Sequence, residues 1–281
     1  MRLGSDKFKR VVVCPRCRGE LAVDRDVLTC AACPARYPIV DGVACLVLPS
    51  DAPSQQAKEF AYWNAKEATP EQLYENLAEP SFQALIDAMA LPSDSVGLEL
   101  GCGDGPFARR LTGRGMEIYG LDVSVPLLKL AQNMTPVQGD ATRLPFRDAA
   151  FDWVLFAFAL HHVAAVDAAL DEVCRVVKPH GRVAVVEPNY HHPVRYLTRD
   201  PEQLLRRKVF TRLSPEERWV RPRHVQERLA RASFACRTTF VTPRFTSEST
   251  FGKVQRVVSS TLGAGPLARF VHSYYLVTAA R

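Results

Sequence analysis

The chain has 281 residues, of which 47% are hydrophobic and 23% are charged, a composition that is ordinary for a globular protein. This length accommodates one complete α/β domain and a small additional unit. The sequence contains no apolar run of membrane-spanning length, and residues 1–10 are polar and lead into no signal-peptide core. These features argue against a helical membrane protein and a secreted protein, and we expect a cytoplasmic location.

The net charge of +6 is unevenly distributed along the chain. Residues 51–188 carry 11 basic and 19 acidic side chains, whereas residues 189–281 carry 17 basic and 6 acidic ones. A basic C-terminal third favours an acidic partner, such as a phosphorylated or carboxylated substrate, RNA, or an anionic membrane surface. The alternative is that these arginines only solubilise exposed helices.

Two Cys-x2-Cys pairs near the N-terminus comprise Cys14, Cys17, Cys30 and Cys33. Each pair directs two thiolates to one point, and four thiolates suit a tetrahedral zinc ion with no open coordination position. We therefore predict a structural zinc site, with a hairpin between the pairs. The metal supplies stability that so small a unit cannot obtain from apolar burial. The remaining cysteines are predicted to be free thiols: Cys45, Cys102, Cys174 and Cys236.

The segment after the second pair, residues 37–43, reads Tyr-Pro-Ile-Val-Asp-Gly-Val. Together with the cysteine pairs it resembles the small zinc-ribbon proteins that activate tRNA and protein methyltransferases. In that family the ribbon binds a methyltransferase as a separate subunit, so the resemblance implies a zinc-ribbon domain fused in cis, which we assign to residues 1–48. Ala44 stands where the family usually has proline. We expect the ribbon to pack on the rest of the protein or to cover substrate, with RNA contact as the alternative.

Residues 49–80 are predicted to form a linker and an N-terminal helix. Pro49–Pro53 is rich in Pro, Asp and Ser, and a helical pattern follows at Ser54–Ala68. Tyr62 and Trp63 in this helix are interpreted as core residues, with a position over a bound ligand as the alternative.

Residues 98–105 are the most informative segment and read Leu-Glu-Leu-Gly-Cys-Gly-Asp-Gly. A predicted strand at Val96–Leu100 ends in this glycine-rich turn, and a helical pattern begins just after it. The turn contains Gly101, Gly103 and Gly105, which have no Cβ. A ligand can therefore approach the backbone N–H groups at the start of the helix.

This turn, in which Glu99 precedes the glycines, resembles motif I of class I methyltransferases that use S-adenosylmethionine (SAM). The resemblance implies that Glu99 and the three glycines face the amino-acid part of SAM. A second predicted strand leads to Asp122, about twenty residues further on, where a carboxylate can accept both hydroxyls of a ribose. The same resemblance implies that Asp140 contacts the adenine amino group and the N–H of Ala141 contacts the adenine ring. Phe156 is included among the cofactor-binding residues.

The remaining elements fit the same fold family. Predicted strands cover Glu117–Leu121, Val137–Ala141 with the strand exit, Phe151–Phe158, Arg182–Glu187, Phe234–Val241 and Phe270–Ala279, and predicted helices include Phe82–Ala90, Glu172–Lys178 and Pro222–Ala232. We therefore predict a doubly wound, Rossmann-like α/β methyltransferase domain over residues 81–281, with seven strands in the family's order 3-2-1-4-5-7-6. His180 occupies a turn position that is usually glycine in this family.

Methyl transfer from a sulfonium is an in-line displacement that needs a positioned nucleophile and, in some cases, a base. His161 and His162 follow the fourth strand and are candidate bases, since imidazole titrates near neutral pH. Glu187, at the end of the fifth strand, is a further candidate. The alternative is that the histidines only cap a helix or pack beside the cofactor. The fourth strand does not end in Asn/Asp-Pro-Pro-Tyr/Phe, which disfavours methylation of exocyclic amines. No cysteine directly follows it and none lies in a Pro-Cys context nearby, which disfavours methylation of pyrimidine C5.

Residues 188–223 form a polar, proline-broken and arginine-rich insertion after the fifth strand. Ligands of open α/β sheets bind at the carboxyl ends of the strands, so this insertion is predicted to be a substrate lid. Its candidate substrate-binding residues are His191, His192, Arg195 and Arg199.

The sequence thus predicts a SAM-dependent methyltransferase that modifies an O, N or C atom of a small or medium, anionic organic acceptor. Its expected cofactors are SAM and one structural zinc ion. The first alternative is an enzyme that methylates a base of rRNA or tRNA. The second is a non-catalytic SAM-binding or activator protein. The patterns indicate no particular oligomeric state.

Overall fold

The computed structural model describes residues 3, 5–47, 54–65, 79–189, 191, 219–242, 257–258, 260–261, 267–272 and 274–281. Over these ranges, no helix has both the length and the apolar character needed to cross a lipid bilayer. The backbone is a mixed α/β structure built on one continuous sheet.

The N-terminal part, residues 5–47, is called the ribbon here and consists of a short helix and a β-meander. The helix spans Asp6–Val11 and begins after Ser5, whose side chain accepts a hydrogen bond from the N–H of Phe8. The strands are β1 (Leu21–Asp24), β2 (Val27–Cys30), β3 (Arg36–Val40) and β4 (Val43–Cys45), each antiparallel to the next. The predicted hairpin between the cysteine pairs is confirmed, whereas the helix was not predicted.

Seven further strands form the larger part of the sheet. They are β5 (Val96–Leu100), β6 (Glu117–Asp122), β7 (Thr135–Gln138), β8 (Phe151–Ala157), β9 (Val177–Pro188), β10 (Ala235–Val241) and β11 (Tyr274–Ala280). Their order is β7-β6-β5-β8-β9-β11-β10, which is the predicted 3-2-1-4-5-7-6 arrangement. β11 runs antiparallel to β9 and β10, and the other pairs are parallel. The Rossmann-like fold is therefore confirmed.

The ribbon extends this sheet. β4 pairs in parallel with β7, with Ala44 opposite Val137 and Cys45 opposite Gln138. The whole sheet consequently has 11 strands, four more than the predicted seven. The physical reason is that β7 would otherwise be an edge strand with unpaired N–H and C=O groups, which β4 satisfies.

The ribbon and the sheet also share one hydrophobic core. Phe8 and Leu28 of the ribbon belong to the same buried cluster as Leu98 and Val154 in the central strands. Three rings in this cluster meet edge to face, with centroids 5.0 to 6.1 Å apart: Tyr119, Phe146 and Phe151. The stability of each part therefore depends on apolar surface that the other part buries.

Helices flank the sheet, and several predicted boundaries differ from those observed, among them the starts of two strands. The described helices outside the ribbon include Ser54–Ala65, Glu79–Met89, Pro106–Arg110, Val125–Leu128, Val166–Val176, Pro222–Arg231 and Ala268–Val271. β9 begins at Val177 instead of Arg182, and His180 within it has a φ of 66° in the left-handed region. The last strand begins at Tyr274 instead of Phe270, because a helical turn occupies Ala268–Val271.

We expect Phe8→Ala to destabilise the whole protein, because this side chain is only 1% exposed within the shared core. Loss of a buried phenylalanine costs about 3–5 kcal/mol. Urea unfolding followed by tryptophan fluorescence measures this cost in the sheet, since Trp153 is buried in β8. The matched control is Phe270→Ala, whose ring is 41% exposed and whose loss should cost less than about 1 kcal/mol. Equal losses in the two variants would contradict a shared core.

Candidate active site and metal centre

The four cysteines of the ribbon converge on one point. Their sulfur atoms all lie within 4.8 Å of one another, with 3.8 Å between Cys14 and Cys33 and 3.4 Å between Cys17 and Cys30. A tetrahedral zinc ion bound by four thiolates holds its sulfurs roughly 4 Å apart, so the donor set and its spacing fit one structural zinc ion. Gly19 is needed beside this site, because a Cβ there would lie 2.9 Å from the Cys30 sulfur.

Two neighbouring groups direct hydrogen bonds toward these sulfurs. The hydroxyl of Tyr37 lies 3.1 Å from the Cys14 sulfur on the buried side of the ribbon. The N–H of Ala32 donates to the Cys30 sulfur at 3.3 Å. Such partners orient metal ligands and stabilise their deprotonated form.

The glycine turn closes the end of β5 against β6. The N–H of Gly101 donates to the carbonyl of Leu121 at 2.7 Å, and the N–H of Gly103 donates to Asp122 Oδ2 at 2.8 Å. Gly103 has a φ of 53°, and among the described atoms the nearest neighbour of a Cβ at this position would be Leu127 Cδ1, 3.9 Å away. The missing side chain therefore leaves open space above the turn, into which a ligand fits.

A pocket lies above this turn, at the carboxyl ends of β5, β6 and β8. Its empty space, open mouth included, is about 760 Å³. Its lining includes Trp63, Gly101, Gly103, Asp122, Ala141, Phe156, Phe158 and His162. Open α/β sheets bind ligands at this end of their strands.

Asp122 lines the pocket at the end of β6. Its Oδ2 accepts the N–H of Gly103 and its Oδ1 accepts the N–H of Ser124, both at 2.8 Å. Each oxygen keeps a lone pair that can accept a hydroxyl proton from a ligand. Burial raises the pKa of Asp122, and the backbone N–H groups oppose this shift.

The predicted adenine contacts lie after β7. Ala141 lines the pocket, whereas Asp140 is buried beside it. The carboxylate Oδ1 of Asp140 accepts both the N–H and the hydroxyl of Thr142, each at 2.8 Å. Asp140 therefore shapes the loop that presents Ala141. Phe156, which is 1% exposed, lines the same pocket.

Glu99 lies behind the glycine turn with its carboxylate almost fully buried. Its Oε2 has no hydrogen-bond partner in the described part of the chain. Burial raises the pKa of Glu99 to about 8, and the charges of Asp104 and Asp122 act in the same direction, while the N–H of Ala108 opposes them. An unsatisfied buried carboxylate of this kind is suited to a cationic ligand group, reached directly or through a water.

A buried pair, Glu187 and His161, supports the turn that follows β8. Oε1 of Glu187 accepts the N–H of Ala159 at 3.0 Å and that of Leu160 at 2.7 Å. Oε2 of Glu187 lies 2.5 Å from Nδ1 of His161. Glu187 is 0% exposed and His161 is 7% exposed, and both side chains lie behind the residues that line the pocket.

His162 is the member of the histidine pair that lines the pocket. The centroid of its ring lies 4.0 Å from the ring centroid of His161. It lies 5.6 Å from the ring centroid of Trp63, and these two rings meet edge to face. Trp63 also lines the pocket, so its interpretation as a core residue is wrong. The alternative interpretation, a position over a bound ligand, agrees with this placement in the pocket lining. Phe158 is a further pocket residue that was not predicted.

The predicted substrate lid is only partly described. Of its candidate substrate-binding residues, three lie outside the described ranges: His192, Arg195 and Arg199. His191 is described, and its ring lies 5.6 Å from that of Trp219, away from the pocket lining. Burial lowers the pKa of His191, and the charges of Arg221 and Arg269 act in the same direction. The charges of two arginines therefore act on His191.

Comparison with known families matches both parts of the chain. Residues 98–185 match the model of a methyltransferase domain, and residues 10–42 match that of Trm112p-like proteins. The chain carries a methyltransferase domain and a Trm112p-like zinc ribbon. The methyltransferase match covers the glycine turn, Asp122 and both histidines after β8.

The curated relatives include demethylmenaquinone methyltransferases. That of Paenarthrobacter aurescens (strain TC1) is 34% identical over 114 residues, which are 39% of this chain and 44% of the relative. That of Mycolicibacterium vanbaalenii is 42% identical over 108 residues, which are 37% of this chain and 47% of the relative. The chain thus spans about half the length of the curated relatives it matches.

Among solved structures, a complex between the Haloferax volcanii Trm112 methyltransferase activator and a methyltransferase has the same fold. The match has a TM-score of 0.56 and 17% identity, and it covers 79% of this chain and 97% of the solved chain.

Metal analysis of the purified protein should find one zinc per chain, because four converging thiolates saturate one tetrahedral ion. The variant Cys14→Ser plus Cys30→Ser should lose the metal. Cys174→Ser is the control, since this thiol lies in the helix Val166–Val176, far along the chain from the cluster. A stoichiometry near zero in the unmodified protein would refute the zinc site, as would metal retained by the double variant.

Glu99→Gln should stabilise the ligand-free protein by an amount that grows with pH. The pKa of Glu99 is about 8 in the folded state and 4.5 in the unfolded state. Between these pH values the unfolded chain releases a proton that the folded protein keeps, so the free energy of unfolding falls as pH rises from 4.5 to 8. The amide removes this cost, on the order of 4 kcal/mol at pH 8. Urea midpoints at pH 5, 6.5 and 8 measure it. Glu79→Gln, which removes a 64% exposed carboxylate, is the control. A pH-independent difference for Glu99→Gln would contradict the buried carboxylate.

Proposed function

We propose that this protein is a SAM-dependent methyltransferase that modifies a small organic acceptor. The observation that carries the proposal is the pocket above the glycine turn, in which Gly103, Asp122 and His162 meet at the carboxyl ends of the strands. The match to a methyltransferase domain and the similarity to demethylmenaquinone methyltransferases support the same reaction class.

The residues of the pocket fit SAM at three points. The two oxygens of Asp122 have free lone pairs for the ribose hydroxyls. The open face of Gly103 and the unsatisfied carboxylate of Glu99 suit the amino-acid part, whose ammonium group is cationic. Ala141, presented by the loop that Asp140 shapes, provides a backbone N–H for the adenine. When bound, SAM supplies a methyl group on a positively charged sulfonium.

On the acceptor side we assign the role of general base to His162. Its imidazole is the titratable ring that lines the pocket, and a base must reach the proton that it removes. His161 and Glu187 are assigned a positioning role, because they are buried behind the pocket and hold the turn that carries His162. Of the three candidate catalytic residues, we therefore assign His162 as the base and the other two as positioning residues.

The acceptor that we propose is a hydroxylated aromatic ring of the quinol type. The pocket walls contain the aromatic side chains of Trp63, Phe156 and Phe158, which suit a flat ring. His162 would accept the hydroxyl proton and so raise the electron density on that oxygen and on the adjacent ring carbon. The names of the curated relatives point to the same acceptor class.

The decisive experiment offers methyl-labelled SAM to the zinc-loaded protein, together with either a quinol-containing small-molecule fraction or an RNA fraction of the native host. We expect label in the small-molecule fraction. Label in RNA would replace this proposal with the RNA methyltransferase alternative, and SAM binding without transfer to either fraction would favour the non-catalytic alternative.

Two variants separate cofactor binding from chemistry. Asp122→Ala should weaken SAM binding by about 2–3 kcal/mol, because it removes a charge-assisted pair of hydrogen bonds, and calorimetry measures this loss. His162→Gln should retain SAM affinity but lower the turnover number. Asp26→Ala, which removes an exposed carboxylate in the β1–β2 turn, should change neither quantity. Unchanged SAM affinity in folded Asp122→Ala would contradict the cofactor assignment.

A further inference from the structure

We infer that Asn64 is a positioning residue that fixes Trp63 over the cofactor pocket and joins it to the loop behind Asp122. The helix Ser54–Ala65, which carries both residues, is called the cap helix here. This inference rests on the proposed SAM site, because it concerns how that site is covered.

The side chain of Asn64 uses its donors and its acceptor at once. Its Nδ2 donates to the carbonyl of Phe60 and to the carbonyl of Val123, both at 2.8 Å. Its Oδ1 accepts the N–H of Val125 at 3.1 Å. A carboxylate has no donor and alanine has neither group, so only an amide satisfies all three partners.

A second contact joins the same two elements. The hydroxyl of Ser124 donates to the carbonyl of Trp63 at 3.1 Å, and the N–H of Ser124 donates to Asp122 Oδ1 at 2.8 Å. The last turn of the cap helix is therefore bound to three consecutive residues that begin directly after Asp122. A ligand that orders Asp122 also orders the cap helix, since the two share these hydrogen bonds.

The ring of Trp63 reaches the other side of the pocket. It lines the pocket and meets the ring of His162 edge to face, with centroids 5.6 Å apart. The cap helix thus connects the cofactor loop after β6 with the histidine turn after β8. We expect a cofactor beneath Trp63 to leave faster when this cover shifts. Asn64 contributes two hydrogen bonds between the cap helix and the loop after β6 that resist such a shift.

The test uses S-adenosylhomocysteine, the demethylated product of SAM, as the probe of the cofactor site. Calorimetry gives its Kd and stopped-flow tryptophan fluorescence gives its dissociation rate. Asn64→Ala should raise both by about tenfold, as expected for the loss of up to three hydrogen bonds that are partly exposed to water. Asn64→Asp should have an effect at least as large, although it is isosteric, because it replaces Nδ2 by an oxygen that faces the carbonyls of Phe60 and Val123.

Gln83→Ala is the matched control. It removes an amide on an exposed helix face, where Nε2 donates to Asp87 Oδ1 at 2.7 Å, away from the pocket lining. This variant should keep the wild-type Kd and dissociation rate. An Asn64→Asp variant that binds the probe as the wild type does would overturn the inference.

A double-mutant cycle with Trp63→Ala tests whether Asn64 acts through the ring. If it does, Asn64→Ala changes the dissociation rate of the probe much less in the Trp63→Ala background than in the wild type. An undiminished effect in that background would overturn the assignment, as would unchanged probe binding by Asn64→Ala. If the wild type itself fails to bind the probe, the proposed function fails and this inference fails with it. If the wild type binds and the variants match it, only the role of Asn64 is refuted.

Discussion

The parallel pairing of β4 with β7 is the contact on which the architecture depends. β7 ends at Gln138, and the carbonyl of Gln138 also accepts the N–H of Leu46 at 2.9 Å. The ribbon therefore holds the strand whose continuation forms one wall of the pocket. Without β4, β7 would be an exposed edge with unsatisfied backbone groups, and the loop after it would lack support on one side.

That loop, residues 139–148, lies between the ribbon and the pocket. The N–H of Val13 donates to the carbonyl of Pro145, and the N–H of Arg147 donates to the carbonyl of Val11, both at 2.9 Å. Arg18 also forms an ion pair with Asp148 at 3.5 Å, but these side chains are 56% and 67% exposed. Exposed ion pairs contribute little because water screens them. Backbone hydrogen bonds and the shared apolar core therefore contribute most to the attachment of the ribbon to this loop. The ribbon thus supports the loop that carries Ala141 of the pocket lining.

The parts of this structure that a short sequence window encodes were predictable. The four-cysteine cluster, the glycine turn and the place of Asp122 at the end of β6 follow from residue types at fixed spacings. The strand order follows instead from the resemblance to the class I methyltransferases. The ribbon–sheet pairing was not predictable, because it joins backbone groups of edge strands and has no side-chain signature. The sequence also did not indicate which of His161 and His162 faces the pocket. Adjacent residues of a 3-10 turn point about 120° apart, so one faces Glu187 and the other faces the pocket. For Trp63, the sequence left core packing and a position over a ligand both open, because its partner His162 is remote in sequence.

The fusion of the ribbon to the methyltransferase domain has a kinetic and stoichiometric consequence. When a ribbon and its partner strand are separate chains, their pairing is bimolecular and is lost on dilution. Here β4 and β7 belong to one polypeptide, so the pairing is unimolecular and its effective concentration is set by the connecting chain. Every molecule carries its own ribbon in a one-to-one ratio, and the occupied edge of β7 is closed to competition from any other ribbon in the cell.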